Sequence, residues 1–200
     1  MKTLYTGLTA PDASYIHTPL IEITPVDDDA ALHSAADKVD SYDYVLYTSR
    51  FAATYVGAQL AKARKTVSIG SATTEALRRM GVAEIEQVER DNSYGVIDWF
   101  SRQPRGRVLI PRSNLALPII PDGLKALGFE VDCMTAYINR MPQHPQKVNL
   151  DEIARIVFTS PSTIDNFIRL YGSVPTGKDL VTRGPVTKQY LQTIIKQQQL

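Results

Sequence analysis

Short apolar runs alternate along this chain with segments whose apolar residues recur every three or four positions. The clearest run is residues 44–47, Tyr-Val-Leu-Tyr, which is short and uninterrupted as expected of a buried strand. Two hydroxyl residues, Thr48 and Ser49, follow it and lead into an alanine-rich segment with helical spacing. Strands that alternate with helices are typical of an α/β protein built on parallel sheets.

The same order of elements returns late in the chain. Residues 156–158 form a second apolar run, Thr159, Ser160 and Ser162 supply hydroxyls, and a helical pattern continues to residue 170. Residues 9–17 are polar and predict a turn-rich connection. Further strands are predicted at residues 3–8, 20–26, 66–70, 107–110 and 129–137, and further helices at residues 30–39, 71–81, 93–100 and 124–127.

Two pairs of turns match in order between the early and late parts of the chain. Thr48 and Ser49 match Thr159 and Ser160, and residues 70–73 match residues 184–187 at nearly the same separation. The repeat predicts two similar parallel-sheet α/β domains joined by a two-stranded β linker. We expect a discontinuous domain of residues 1–22 and 142–200 and a second domain of residues 25–138, with linker strands at about 19–26 and 134–142.

Each strand–turn–helix junction leaves free backbone N–H groups at the start of a helix. These groups and the neighbouring hydroxyls can bind a carboxylate or a phosphate without net positive charge. For any one turn, the simpler interpretation is that its serine or threonine only caps the helix. Four such turns in an ordered pattern favour a shared ligand site. Its candidate residues are Thr48, Ser49, Ser71, Thr73, Thr159, Ser160, Ser162 and Thr187.

Composition narrows the classes of function. The 22 Lys and Arg residues nearly balance the 21 Asp and Glu, so no broad nucleic-acid-binding face is indicated. The single cysteine, Cys133, excludes an intrachain disulfide and is expected to be packed inside. Glycine-rich nucleotide motifs, a hydrolase triad and metal-ligand spacing are missing, so no metal is expected. The chain start lacks a signal-peptide core and no apolar run has membrane-span length, which predicts a cytoplasmic protein.

Taken together, these segments resemble the uroporphyrinogen-III synthase family. That family pairs strand-Phe-Thr-Ser-Pro-helix units with Gly-Pro/Asn-x-Thr-helix units in two α/β domains joined by a two-stranded ladder. Residues 158–161 and 184–187 carry these motifs here, and residues 108–113 resemble the strand before the family's third helix in its second domain. Residues 128–137 resemble the family's Gly-x-x-Val-x-x-x-x-x-Tyr segment, so Tyr137 falls on its tyrosine. The resemblance covers residues 20–191.

The resemblance implies a lyase of porphyrin and haem biosynthesis that closes hydroxymethylbilane to uroporphyrinogen III. The terminal hydroxyl leaves as water, and the resulting azafulvene is attacked at the substituted carbon of the last ring. Fragmentation and reclosure of this spiro intermediate invert ring D. No metal or organic cofactor is implied, because the substrate's electronics carry much of the chemistry and the protein positions the ring ends.

The resemblance also implies residue roles and partners. Tyr137 is the expected hydrogen-bond donor to the leaving hydroxyl. The substrate contacts are expected from Thr48, Ser49, Ser71 and Thr73 in one domain and from Thr159, Ser160, Ser162 and Thr187 in the other. Hydroxymethylbilane, a small molecule, is the expected partner of a monomer that binds neither nucleic acid nor membrane.

The sequence departs from the family at several points. Arg50 stands where the family often has proline and could supply a cation for a carboxylate, whereas Val186 replaces a common second threonine. Residues 8–19 leave no room for the family's first helix, and no final strand and helix follow residue 191. A non-catalytic relative that binds a tetrapyrrole or another small polyanion is therefore the alternative interpretation. A hinge-type two-domain binding protein is a third.

Overall fold

The computed structural model of the protein describes residues 2–62 and 64–198. Its strands are β1 (Lys2–Tyr5), β2 (Tyr15–His17), β3 (Glu22–Thr24), β4 (Tyr44–Tyr47), β5 (Thr66–Ile69), β6 (Ile85–Val88), β7 (Arg107–Ser113), β8 (Glu130–Arg140), β9 (Ile153–Phe158) and β10 (Asp179–Thr182). Its helices are α1 (Ala30–Asp37), α2 (Arg50–Val56), α3 (Ser71–Arg79), α4 (Ser93–Ser101), α5 (Ile119–Ala126), α6 (Pro161–Tyr171) and α7 (Pro185–Gln198). None of these helices is long and apolar enough to cross a bilayer.

The chain divides into two compact units. One comprises Met1–Ile23 and Asn139–Leu200, and the other comprises Thr24–Ile138. We name them the four-stranded unit and the six-stranded unit after their sheets. The prediction of an α/β fold with parallel sheets in two domains is confirmed.

The four-stranded unit has the strand order β10-β9-β1-β2, and its neighbouring strands are all parallel. Helix α6 begins at Pro161, directly after its N-cap Ser160, and a residue without an N–H at this position leaves no donor unsatisfied. Its apolar face carries Ile164 and Phe167 into the core with Ile156 of β9. Burial of this face stabilises the helix more than its intrinsic propensity does.

The six-stranded unit has the strand order β3-β8-β7-β4-β5-β6. Strand β4 lies between β7 and β5, parallel to both, and all its residues are buried. Burial on both faces of the sheet explains why its sequence is an uninterrupted apolar run. On one face the ring of Tyr44 meets Phe100 and Phe129 edge to face, with ring centroids 5.3 and 6.0 Å away. Such aromatic contacts are favourable beyond the area that they bury.

The chain passes between the two units twice. The boundary falls within β3 after Ile23 and within β8 after Ile138. These two strands are neighbours in the six-stranded sheet.

Several elements differ from the sequence-based expectations. Strand β2 lies in the segment that was expected to form turns. It was not predicted because it pairs with β1 along only three residues, and so short a pattern cannot be detected in the sequence. Strand β1 stops at Tyr5, since Thr6 turns its hydroxyl onto the Val157 carbonyl at 2.8 Å. Helix α1 ends at Asp37, and α5 begins five residues earlier than expected, at Ile119.

The expected burial of Cys133 is wrong. Its side chain is exposed, as is that of its neighbour Asp132. Strand β8 lies beside β3, which is only three residues long and covers little of it. An apolar run therefore does not imply a packed position on this strand.

Candidate functional site

The predicted hydroxyl residues follow the carboxyl ends of parallel strands, which is where ligands bind in open α/β sheets. In the six-stranded unit they follow β4 and β5, and in the four-stranded unit they follow β9 and β10. Each of these strands leads into a helix, so backbone N–H groups stand beside the hydroxyls. The two units are described separately below.

Tyr137 of the six-stranded unit is held by both burial and a hydrogen bond. Its ring is 7% exposed and its hydroxyl donates to Ser49 Oγ at 3.1 Å. Ser49 is also the N-cap of α2, where its Oγ accepts from the Phe51 N–H at 3.1 Å. One serine hydroxyl thus fixes both the start of α2 and the direction of the Tyr137 hydroxyl.

Aromatic rings hold Tyr137 from the side of α2. The ring of Phe51 lies 5.8 Å from that of Tyr137, and the ring of Tyr55 stacks on it at 6.4 Å. Burial raises the pKa of the Tyr137 phenol, while the hydrogen bond with Ser49 and the charge of Arg112 act in the opposite direction. The phenol is therefore protonated at neutral pH and is available as a donor.

Arg50 is the accessible cation beside this group. Its side chain is exposed, and its guanidinium lies 5.0 Å from the centre of the Phe51 ring. It forms no ion pair with any residue that the structure describes. Arg112, in contrast, is committed to the backbone, since it donates to the carbonyls of Ala116 and Leu117. The Arg50 guanidinium is thus available to form an ion pair with a bound anion.

The start of α3 carries a resident negative charge. Gly70 precedes the helix with a φ of 73°, which favours glycine, and Ser71 is exposed. A Cβ placed on Gly70 would lie 3.1 Å from the Asp91 carboxylate. Because a like charge stands beside it, this helix start is less favourable for a substrate carboxylate than its N–H groups alone suggest.

In the four-stranded unit, hydrogen bonds shape the start of α6. Thr163 Oγ1 accepts from the N–H groups of Thr159 and Ser160 and donates to the Ser160 carbonyl at 2.7 Å. The hydroxyls of Ser160 and Ser162 are 2.8 Å apart, and Asn139 Nδ2 donates to Ser162 at 3.3 Å. Thr163 is buried, whereas Thr159, Ser160 and Ser162 are half-buried and accessible.

The start of α7 repeats the geometry of the start of α3. Gly184 has a φ of 80°, and Thr187 is 4% exposed, as is its counterpart Thr73. Little of either threonine side chain is accessible to a ligand. Ser71 and Ala72 are exposed at the first turn, and Arg183, Gly184 and Pro185 are exposed at the second.

The structure thus brings Tyr137, Ser49 and Arg50 close to one helix start, and Thr159, Ser160 and Ser162 to another. Thr48 is half-buried at the carboxyl end of β4. Sequence analysis missed Phe51 and Tyr55, although their spacing of four residues on a helix was a usable signal of a shared face. Among the described residues, no group of three His, Cys, Asp or Glu side chains could hold a metal ion.

Comparisons with known proteins agree with the two-unit α/β fold. A family model described as uroporphyrinogen-III synthase HemD matches residues 3–194. A comparison with curated proteins gives no match.

Solved structures with the same fold include uroporphyrinogen III synthases of two bacteria. A mutant of the Thermus thermophilus enzyme is 16% identical, with a TM-score of 0.67 over 96% of this chain and 88% of that one. The wild-type enzyme of the same organism is 18% identical, with a TM-score of 0.57 over 96% and 87%. The Helicobacter pylori protein is 14% identical, with a TM-score of 0.61 over 96% and 88%. At such identities, the likeness shows a shared fold.

Proposed function

Because the chain belongs to the uroporphyrinogen-III synthase family, we propose that it cyclises hydroxymethylbilane to uroporphyrinogen III with inversion of ring D. The observation that carries the proposal is the state of the Tyr137 hydroxyl. The phenol is protonated, the residue is only 7% exposed, and the hydroxyl donates to Ser49 Oγ. The reaction releases water, which makes the protein a hydro-lyase. Its substrate class is a linear tetrapyrrole.

Tyr137 acts on the leaving hydroxyl in this proposal. The pyrrole nitrogen supplies the electron pair that expels the terminal hydroxyl and then loses its N–H proton, so that hydroxide and proton leave together as water. Tyr137 donates a hydrogen bond to the departing oxygen. To do so, it exchanges Ser49 for the substrate as its acceptor. The Ser49 hydroxyl can then donate in return to the phenol oxygen, because a hydroxyl is both donor and acceptor. This exchange keeps the phenol oxygen hydrogen-bonded while Tyr137 stabilises the charge that develops on the departing oxygen as the C–O bond breaks.

The acidic arms of the substrate need complementary groups. In the six-stranded unit, we assign them to Arg50, Thr48, Ser49 and Ser71, with backbone N–H groups at the start of α2. In the four-stranded unit, we assign them to Thr159, Ser160 and Ser162. We assign Thr73 and Thr187 to packing inside these turns, since both are 4% exposed.

The apolar ring faces of a tetrapyrrole need a different surface. Leu115 and Leu117 are 51% and 40% exposed in the loop that follows β7. Arg112 anchors this loop through the Leu117 carbonyl at 2.9 Å, and the Asn114 N–H donates to the Tyr137 carbonyl at 3.3 Å. We assign these two leucines to contacts with pyrrole rings near Tyr137, where burial of their exposed surface would favour binding.

Product analysis tests the proposal. Hydroxymethylbilane generated in situ closes spontaneously to the type I isomer, so oxidation and separation of the isomers reveals any type III that the protein makes. An excess of type III over the protein-free control is expected. Type I alone, from protein shown to be folded, would favour the non-catalytic relative that binds a tetrapyrrole or another small polyanion. The expected cytoplasmic location and monomeric state stay predictions.

A further inference from the structure

A second group of polar side chains lies in the four-stranded unit, outside the turns described above. An open cavity of about 340 Å³ is lined on one side by His17, Thr18 and Pro19, which end β2 and follow it. On the other side, the connector after β8 lines it with Pro142, His144, Pro145 and Gln146. Its size suits one substituted pyrrole ring, at the lower end of the range of ligand sites.

The hydrogen bond of His17 fixes how its ring is used. Its Nε2 lies 2.8 Å from the Gly7 carbonyl oxygen, which can only accept, so Nε2 carries the proton. The other nitrogen, Nδ1, is then an acceptor in the neutral ring and becomes a donor only when the ring takes up a second proton. An anion beside Nδ1 would therefore bind His17 as a cation.

The lining of the cavity favours an anion. None of the described residues that line it is a carboxylate, so the lining presents no negative side chain to an anion. Prolines lack an N–H, and three of them form the walls, so the donors are concentrated in the histidines, Thr18 and Gln146. Two imidazoles without a carboxylate or thiolate are a poor metal site.

The cavity adjoins the carboxyl edge of the sheet. His17 pairs with Tyr5 on β1, and Tyr5 pairs with Val157 on β9, so all three lie at one level of the sheet. The Gly7 that holds His17 also touches Thr159, because a Cβ on Gly7 would lie 2.6 Å from the Thr159 side chain. We propose that His17 and His144 bind a carboxylate arm of one pyrrole ring of the substrate. This assignment rests on the proposed synthase function.

Nuclear magnetic resonance of the imidazole C–H groups tests the proposal directly. The chain has three histidines, and the third, His33, is exposed on α1 in the six-stranded unit. The probe is a monopyrrole with one acetate and one propionate arm, and the control probe is its dimethyl ester. Saturable shifts of His17 and His144 with the free acid, an unshifted His33, and at least tenfold weaker binding of the ester are expected.

Three results would overturn the assignment. Equal shifts with the ester would show that the carboxylate does not contribute to binding. Equal shifts with acetate alone would show that the site accepts any small carboxylate and does not recognise a substrate ring. Shifts with Zn²⁺ but not with the monopyrrole would show a metal site. Each titration is measured without turnover. A protein that makes only the type I product can still show this binding, and the synthase proposal alone then fails. A protein that makes type III but has unshifted histidines contradicts this assignment alone.

Variants provide the kinetic counterpart. His144→Asn, in an exposed connector, is expected to raise the KM for hydroxymethylbilane about fivefold with kcat unchanged. His17→Asn should do the same, and its melting curve reports any loss from the Gly7 contact. His33→Asn is the matched control and should leave both constants unchanged. An unchanged KM in folded His144→Asn contradicts the proposal.

Discussion

The substitution Tyr137→Phe separates the catalytic role of the hydroxyl from the structural role of the ring. Phenylalanine retains the ring contacts with Phe51 and Tyr55 and removes only the hydrogen bond to Ser49. Ser49 Oγ still accepts from the Phe51 N–H at 3.1 Å, so the cap of α2 survives. If Tyr137 donates to the leaving hydroxyl, the change removes that donor and nothing else.

The expected magnitudes differ widely between stability and turnover. One hydrogen bond contributes about 1 kcal/mol to the free energy of unfolding. In a chain of this size, the loss lowers the melting temperature by roughly 2–4 °C. Loss of a donor to a leaving or developing charge lowers kcat by roughly a hundredfold or more. KM should change little, because the assigned carboxylate contacts remain.

The assay measures type III isomer formation with hydroxymethylbilane generated in situ, together with a thermal melt of each protein. Tyr47→Phe is the matched control, since it also removes the hydroxyl of a buried tyrosine close in sequence to Thr48. It should leave kcat unchanged. The reasoning is refuted if Tyr137→Phe retains kcat to within about threefold, or if its loss of turnover is matched by a loss of folded protein.

Three further predictions concern stability and charge. The Tyr47 hydroxyl is buried without a partner among the described residues, so Tyr47→Phe should raise the free energy of unfolding by about 1 kcal/mol, and a fall would contradict this account. Asp91→Asn should lower the KM for hydroxymethylbilane roughly fivefold, because two like charges about 4 Å apart repel by about 1 kcal/mol in water; an unchanged KM argues against a carboxylate at the start of α3. The hydrogen bond to the Asp165 carboxylate raises the pKa of Tyr190 to about 12. The stability advantage of the parent over Tyr190→Phe should therefore be complete below pH 10 and disappear as the pH rises to about 12, as chemical unfolding at each pH can show.

The alternation of strands and helices was predictable where strands are buried on both faces, as β4, β5 and β7 are over most of their length. Residues 44–47 were predicted as a strand and form β4 without a change of bounds. Strand β2 was not predictable, because three residues paired at a sheet edge carry no periodic signal. The exposure of Cys133 was not predictable, because an apolar run does not show which of its side chains another element covers.

The candidate site was predictable where its chemistry is local. Ser49 and Ser160 are N-caps with extended backbone, and hydroxyls before a helical pattern indicate such a role. The contact between Tyr137 and Ser49 was not predictable from the residues alone, because it joins positions 88 residues apart. Likewise, nothing local in the sequence indicates that Asp91 stands over Gly70.

The division of the chain into units fixes an order of events during synthesis. The six-stranded unit is one continuous segment, whereas β1 of the four-stranded unit pairs with β9, about 150 residues later. At roughly 5–20 residues per second, a ribosome leaves β1 without this partner for about 7–30 s. In that time β1 and β2 are a two-stranded pair of marginal stability with an open edge. The six-stranded unit can fold first, and the nascent β1 edge stays open to aggregation until β9 has been made.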